Sequence, residues 1–225
     1  LNEGCFSDCS SLTKIDIPST ITKISDNAFE NCSSLTKIDI PRNVTEIGSN
    51  TFKGCKSLKT IIIPKSTKII GQGCFNDCER LEKISIESDK ITILNELTFK
   101  NCISLREINI PHSVKILKKE CFMNCSSLIQ IIIPPSTSAI ESSVFHGCSS
   151  LKTVKIQSDL NEIEPCLFKD CKSLNEINLP QTVNEIRDNS FENCSSLSTI
   201  EFPNSLKIIR KSAFLGCTSL THIFI

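Results

Sequence analysis

The sequence predicts an α/β solenoid, in which each 23-residue coil contributes a short parallel strand and a short helical or 3-10 turn. The first observation is a series of ten phenylalanines spaced 23 residues apart, with one spacing of 24. The others are a cysteine three residues after each phenylalanine and a leucine three residues after each cysteine. The phenylalanines are Phe6, Phe29, Phe52, Phe75, Phe99, Phe122, Phe145, Phe168, Phe191 and Phe214.

Each part of the coil has a pattern that predicts its conformation. Apolar residues alternate in Ile15-Asp16-Ile17, and Pro18 ends the strand because proline has no amide for the next ladder bond. Ile21 and Ile24 indicate a second short extended segment. Residues 26–32 place apolar side chains at helical spacing, which predicts about one turn of helix, partly 3-10. The positions expected to point inward in the first coil are Leu12, Ile15, Ile17, Ile21, Ile24, Ala28, Phe29 and Cys32.

The whole chain, 1–225, is predicted to be a single repeat domain. Nine complete coils span 12–219, and we number them from coil 1, which begins at Leu12, to coil 9, which begins at Leu197. Partial coils at both ends favour a fragment of a longer chain. Two corners depart from the pattern: coil 4 has Glu87 and one extra residue where others have proline, and coil 7 has Gln157. Each substitution is followed by Ser-Asp. This pattern fits either a corner shaped to bind a ligand or neutral sequence variation in a loop that tolerates it.

Composition excludes several functional classes. The chain has 25 basic and 25 acidic residues, so its net charge is zero and no basic surface for nucleic acid is expected. Its longest apolar runs are far shorter than the ~20 residues of a membrane helix, so we expect no membrane insertion by this segment. No signal peptide is visible at the N-terminus.

The unit L-x-x-I-x-I-P-x-x-V-x-x-I-x-x-x-A-F-x-x-C-x-S-L resembles the BspA-like, or Treponema pallidum-type, leucine-rich repeat. The copy from Leu35 to Gly48 matches it at each motif position. The resemblance implies a right-handed, curved solenoid with parallel strands on its concave side. It also implies a surface protein that adheres to host matrix or to other cells, and it supplies no catalytic residues to carry over.

The cysteines are predicted to be buried, reduced thiols. Ten of the 14 occupy one repeat position on the apolar side, where cysteine packs as a small hydrophobe. Parallel stacked side chains disfavour the dihedral angle of a disulfide. The histidines, His112, His146 and His222, fall at different repeat positions and cannot converge on one site. We therefore expect no catalytic residues, no metal site and no cofactor.

The remaining candidate for function is the outward face of the strands. We expect a non-enzymatic module that binds a protein or glycan, with an intracellular scaffold as the alternative and end-to-end self-association through Ile223-Phe224-Ile225 as a further possibility. Lysine and aspartate pair in the first coils, which could reflect charge pairing across strands. The candidate residues are Lys14, Asp16, Lys37, Asp39, Thr60, Ile62, Lys83, Ser85, Glu107, Asn109, Ile129, Gln130, Ile132, Thr153, Lys155, Glu176 and Asn178.

Overall fold

The computed structural model describes residues 1–224 and is a solenoid of stacked coils, as the repeat predicts. Within the described residues, every coil except coil 5 presents a first strand to a parallel first ladder, and coils 1 to 9 each present a second strand to a parallel second ladder. The first ladder contains β1 (Lys14–Ile15), β3 (Lys37–Ile38), β5 (Thr60–Ile63), β7 (Lys83–Ile86), β10 (Gln130–Ile133), β12 (Thr153–Ile156), β14 (Glu176–Ile177), β16 (Thr199–Glu201) and β18 (His222–Phe224). The second ladder contains β2 (Lys23–Ile24), β4 (Glu46–Ile47), β6 (Ile69–Ile70), β8 (Ile93–Leu94), β9 (Ile116–Leu117), β11 (Ala139–Ile140), β13 (Glu162–Ile163), β15 (Glu185–Ile186) and β17 (Ile208–Ile209).

The register of both ladders follows the repeat length. Ile61 lies opposite Ile84, and Ile131 lies opposite Val154, so a repeat position stacks on itself from coil to coil. Equivalent apolar positions therefore form one continuous core from Ile24 to Ala213. In the first coil, Leu12 and Ile15 are only half-buried, as are Ile17 and Ile21, because coils cover them on one side only.

The predicted helical turn is wrong. Residues 26–32 and their equivalents are turns, and the part of the chain that the structure describes contains no helix. The reason is that each turn has left-handed residues two positions before and two positions after the phenylalanine, such as Asn27 at φ 57° and Asn31 at φ 59°. A left-handed residue cannot continue a right-handed helix. The second of these positions is always Asn, Asp or Gly, the residues that adopt this conformation at least cost.

The turns form a third hydrogen-bonded ladder of opposite polarity. The Phe29 amide donates to Thr51 O of the following coil at 2.9 Å, and the Phe52 amide donates to Cys74 O at 2.8 Å. In the second ladder the direction is reversed, since the Gly48 amide donates to Ile24 O of the preceding coil at 2.8 Å. Strands and turns thus hold each coil to its neighbours through amides that point opposite ways.

The phenylalanines form a continuous stack inside the turns. Neighbouring ring centroids lie 5.1–5.7 Å apart, with interplanar angles of 20° or less. Because successive rings are near-copies of each other, this distance is the coil spacing at that point, and it exceeds the ~4.8 Å between paired strands. The coils are therefore wider apart on the phenylalanine side, and the array bends toward the strands.

The cysteine ladder has a role beyond packing. From Cys32 to Cys217, the thiol at the repeat position donates to the carbonyl oxygen of the preceding coil's phenylalanine, with Sγ to O distances of 3.1–3.2 Å. All 14 cysteines are unpaired. Burial raises the pKa of Cys32 to about 11 and that of Cys148 to about 12, so these thiols stay protonated at neutral pH and can donate.

The second ladder is interrupted at the two corners that depart from the repeat. Its strands form three separate groups, β2-β4-β6, β8-β9-β11 and β13-β15-β17. The first interruption precedes β8, which follows Ser88-Asp89, and the second precedes β13, which follows Ser158-Asp159. The non-proline corners thus displace the strand that comes directly after them.

The predicted apolar edge at the C-terminus falls partly outside the described residues. Ile223 and Phe224 are exposed, and Ile225 lies beyond the described range.

We expect Phe122→Ala to lower the free energy of unfolding by about 3–5 kcal/mol in urea denaturation. Phe122 is fully buried and stacks on Phe99 at 5.2 Å and on Phe145 at 5.7 Å. Phe122→Leu keeps most of the buried area but loses both stacked pairs, so its loss should be smaller. An unfolding curve for Phe122→Ala that matches the parent would contradict the assignment of the stack.

Thiol titration should separate exposed from buried cysteines. We expect Cys5 and Cys9, which are exposed, to react first with a thiol reagent at pH 8, because the buried thiols are shielded and protonated. In denaturant without reductant, all 14 cysteines should react. A total well below 14 would reveal disulfides and overturn the reduced ladder.

Candidate functional site

The outward residues of the first strands form what we call the first-ladder face. In β5 the side chains of Ile61 and Ile63 are buried, whereas Thr60 and Ile62 are exposed. β10 repeats this alternation, with Gln130 and its neighbour two residues on facing outward. The strand period of two therefore sends every second side chain to solvent, and the stacked register arranges these side chains in rows.

The structure places the predicted binding residues on this face. All of them are exposed except Ser85, which is half-buried. Whether they bind a partner stays a prediction.

Charge pairing on the first coils runs along each strand. Lys14 Nζ lies 3.2 Å from Asp16 Oδ1, and Lys37 Nζ lies 3.1 Å from Asp39 Oδ2. Across the ladder, Lys14 is opposite Lys37, so the interpretation as cross-strand pairing is wrong. The reason is that an in-register repeat places like residues opposite one another. These ion pairs are highly exposed and contribute little to stability.

Three large apolar side chains of the predicted set are exposed on the face. Ile62, Ile132 and Ile129 are 57%, 51% and 46% exposed. Ile129 and Ile132 are neighbours in coil 6, whereas Ile62 lies three coils away in coil 3. Coil 6 thus carries two of the three exposed isoleucines of the predicted set.

One groove on this face lies where the first ladder weakens. In coil 5 only a single β-bridge, between Glu107 and Lys83, continues the ladder. A groove of about 540 Å³ opens here. Its walls are Glu82, Lys83, Arg106, Glu107, Ile129 and Gln130.

Two residues of this groove, Glu82 and Arg106, were missed by sequence reasoning. They occupy the repeat position directly after the leucine, which is also the position of Ile129. Aligning the coils on their leucines would therefore have identified both residues. That position is exposed in coils 4, 5 and 6 because the chain is only entering the strand there.

Two more grooves adjoin predicted residues. One of about 420 Å³ is bordered by Thr153, Lys155, Glu176 and Asn178, with Asn175 at its rim. A smaller one, of about 160 Å³, also contacts Glu107. Its other predicted lining residues are Lys83, Ser85 and Asn109. The predicted residues of coils 1 to 3, Lys14, Asp16, Lys37, Asp39, Thr60 and Ile62, do not line these three grooves.

The histidines lie on different parts of the coil. His112 is at an exposed corner after Pro111, and His222 is in β18. His146 is in a turn, where its Nε2 lies 3.2 Å from Asp170 Oδ2. Within residues 1–224, no group of three or more His, Cys, Asp or Glu side chains is arranged to hold a metal ion. Over the same residues, no helix has the length and apolarity to cross a bilayer.

Comparison with known structures places the fold among bacterial leucine-rich repeat proteins. The leucine-rich repeat protein of T. pallidum is 26% identical over 89% of this chain and 78% of that chain, with a TM-score of 0.58. The pneumococcal vaccine antigen PcpA is 22% identical over 94% of this chain and 61% of that chain, with a TM-score of 0.60. A leucine-rich repeat protein of Eubacterium ventriosum is 21% identical over 94% of this chain and 84% of that chain, with a TM-score of 0.51.

No curated protein matches the sequence. The family described as BspA type leucine rich repeat region matches six copies over residues 1–129 and 115–225. Since these matches span the entire chain, the protein belongs to the BspA-type leucine-rich repeat family.

Proposed function

We propose that this chain is a non-enzymatic binding module that holds a protein or glycan partner on the first-ladder face, in adhesion at a cell surface. Leucine-rich repeat solenoids are protein-interaction scaffolds, and they bind through extended surfaces of stacked repeats. The proposal therefore agrees with the family and with the breadth of the exposed rows.

The observation that carries the proposal is the groove of coils 4 to 6 beside Ile129 and Ile132. Exposed isoleucines can anchor a partner when they are desolvated, and neighbouring charges such as Arg106 and Glu107 fix its orientation. This combination of an apolar anchor with a charged rim favours a protein partner over a glycan.

The double variant Ile129→Lys with Ile132→Lys should weaken binding of the partner at least ten-fold, which corresponds to about 1.4 kcal/mol. Both side chains face solvent, so the fold should tolerate lysine. Binding is measured by titrating a partner captured from host-cell extracellular matrix, and its dissociation constant is compared between parent and variant.

Ile103→Lys is the matched control, because Ile103 is 43% exposed but lies in a turn and does not line the groove. We expect it to bind like the parent. Equal affinity of the double variant and the parent, or equal losses for the double variant and Ile103→Lys, would contradict binding at the groove.

An intracellular scaffold is the second candidate, and the unpaired cysteines are the observation that favours it. Reduced thiols persist most readily in a reducing compartment. Antibody labelling of intact and permeabilised cells separates the candidates, since a surface protein is labelled in both and an intracellular one only after permeabilisation.

A further inference from the structure

The interruption of the second ladder between β11 and β13 leaves main-chain groups without partners. Where the second ladder is continuous, two bonds join neighbouring coils at this place, as when Ser138 N donates to Lys115 O at 2.8 Å and Glu141 N donates to Leu117 O at 2.9 Å. One coil further on, Asn161 N and Glu164 N are the equivalent donors, and Ser138 O and Ile140 O are the equivalent acceptors. Across residues 1–224, none of these four groups has a hydrogen-bond partner in the protein.

An accessible groove occupies this interruption. Its volume is about 220 Å³, well above the ~10–15 Å³ that a single water requires. Ser138, Ala139 and Ile140 line one side, and residues 159–162 with Glu164 line the other. Acceptors on one strand edge and donors on the other are thus open to a third group placed between them.

The other interruption, between β6 and β8, shows what kind of group fits. There the side-chain amide of Asn95 donates to Ile70 O at 2.7 Å, in place of the missing main-chain bond. Glu164 occupies the position of Asn95 in coil 7, and Ile140 occupies that of Ile70. A carboxylate only accepts, so Glu164 cannot replace the bond that Asn95 supplies.

The corners that cause the two interruptions differ in the same way. Ser88 Oγ donates to Thr67 O and accepts from Lys90 N at 3.1 Å. Ser158, its counterpart in coil 7, is 3% exposed, and its hydroxyl has no partner in the described structure. The corner of coil 4 is therefore closed by its own side chains, whereas that of coil 7 is left unsatisfied.

Acidic side chains surround the open interruption. Asp159, Glu162 and Glu164 line it, and Arg187 is the cation paired with Glu162. Burial is the main cause that raises the pKa of Glu164, with further contributions from Glu162, Glu185 and Glu141 against the opposing effect of Arg187. The groove therefore favours a positively charged occupant.

We propose that the gap between β11 and β13 binds a short extended segment of a partner protein that carries basic side chains. Its amides donate to Ser138 O and Ile140 O, its carbonyls accept from Asn161 N and Glu164 N, and its basic side chains face Asp159 and Glu162. This is strand addition to an open edge, limited here to about two residues per side. The inference rests on the proposed binding role for the class of partner, but it uses a surface separate from the first-ladder face.

The test uses NMR titration of the full chain with the peptide acetyl-Val-Lys-Val-Lys-Val-amide. We expect saturable shifts of the Asn161 and Glu164 amides with a dissociation constant on the order of millimolar, since few bonds form. The same peptide with N-methylated main-chain amides keeps its charge but cannot donate, and it should bind at least ten-fold more weakly. Equal binding of the two peptides would mean that charge alone is recognised and would overturn the proposal.

Glu164→Asn introduces the amide that closes the other interruption, so it should abolish these shifts. Glu201→Asn removes the same charge from an exposed site in β16 and should leave them unchanged. Absence of saturable shifts in the parent, or unchanged binding by Glu164→Asn, would refute the proposal. Ile129 and Ile132 lie outside the gap between β11 and β13, so their lysine variants should bind the peptide normally. This result distinguishes failure of the gap proposal from failure of binding at the first-ladder face.

Discussion

The structure depends on hydrogen bonds between coils that point in opposite directions in the strands and in the turns. Strand amides donate to the preceding coil, whereas turn amides such as Phe29 N donate to the following one. A coil in the middle of the array thus donates amides to both of its neighbours, which a single ladder of one polarity would not achieve. The phenylalanine stack fills the space inside the turns, and the thiols add a second hydrogen bond to phenylalanine carbonyls that already accept an amide within the turn.

The interruptions of these hydrogen-bonded ladders are the candidate binding places. Where the ladders are continuous, main-chain hydrogen bonds join each coil to the next. Where coil 5 contributes only one bridge, a groove opens on the first-ladder face beside Ile129. Where coil 7 loses its corner proline, donors and acceptors on the second ladder are left open. The places with binding potential are therefore those where intercoil bonding is incomplete.

Sequence periodicity predicted the strands, the core positions and the exposed rows, because each depends on residues that recur in every coil. The helical turn was predicted wrongly, since apolar spacing outweighed the Asn, Asp or Gly that precedes each cysteine. The left-handed position two residues before phenylalanine was harder to recognise, because residues other than Asn, Asp or Gly occupy it in five of the coils: Leu97, Glu120, Ser143, Cys166 and Ser212. The thiol hydrogen bonds and the grooves depend on three-dimensional spacing, which residue patterns do not encode.

The most direct test of this account is the hydrogen exchange of individual amides in the second ladder. Ser138 N and Glu141 N are bonded to the preceding coil, whereas their equivalents one coil later, Asn161 N and Glu164 N, are open. The account predicts slow exchange for the first pair and fast exchange for the second, although both pairs lie in the middle of the array. Equal protection of the two pairs would show that the interruption is closed and would contradict the account.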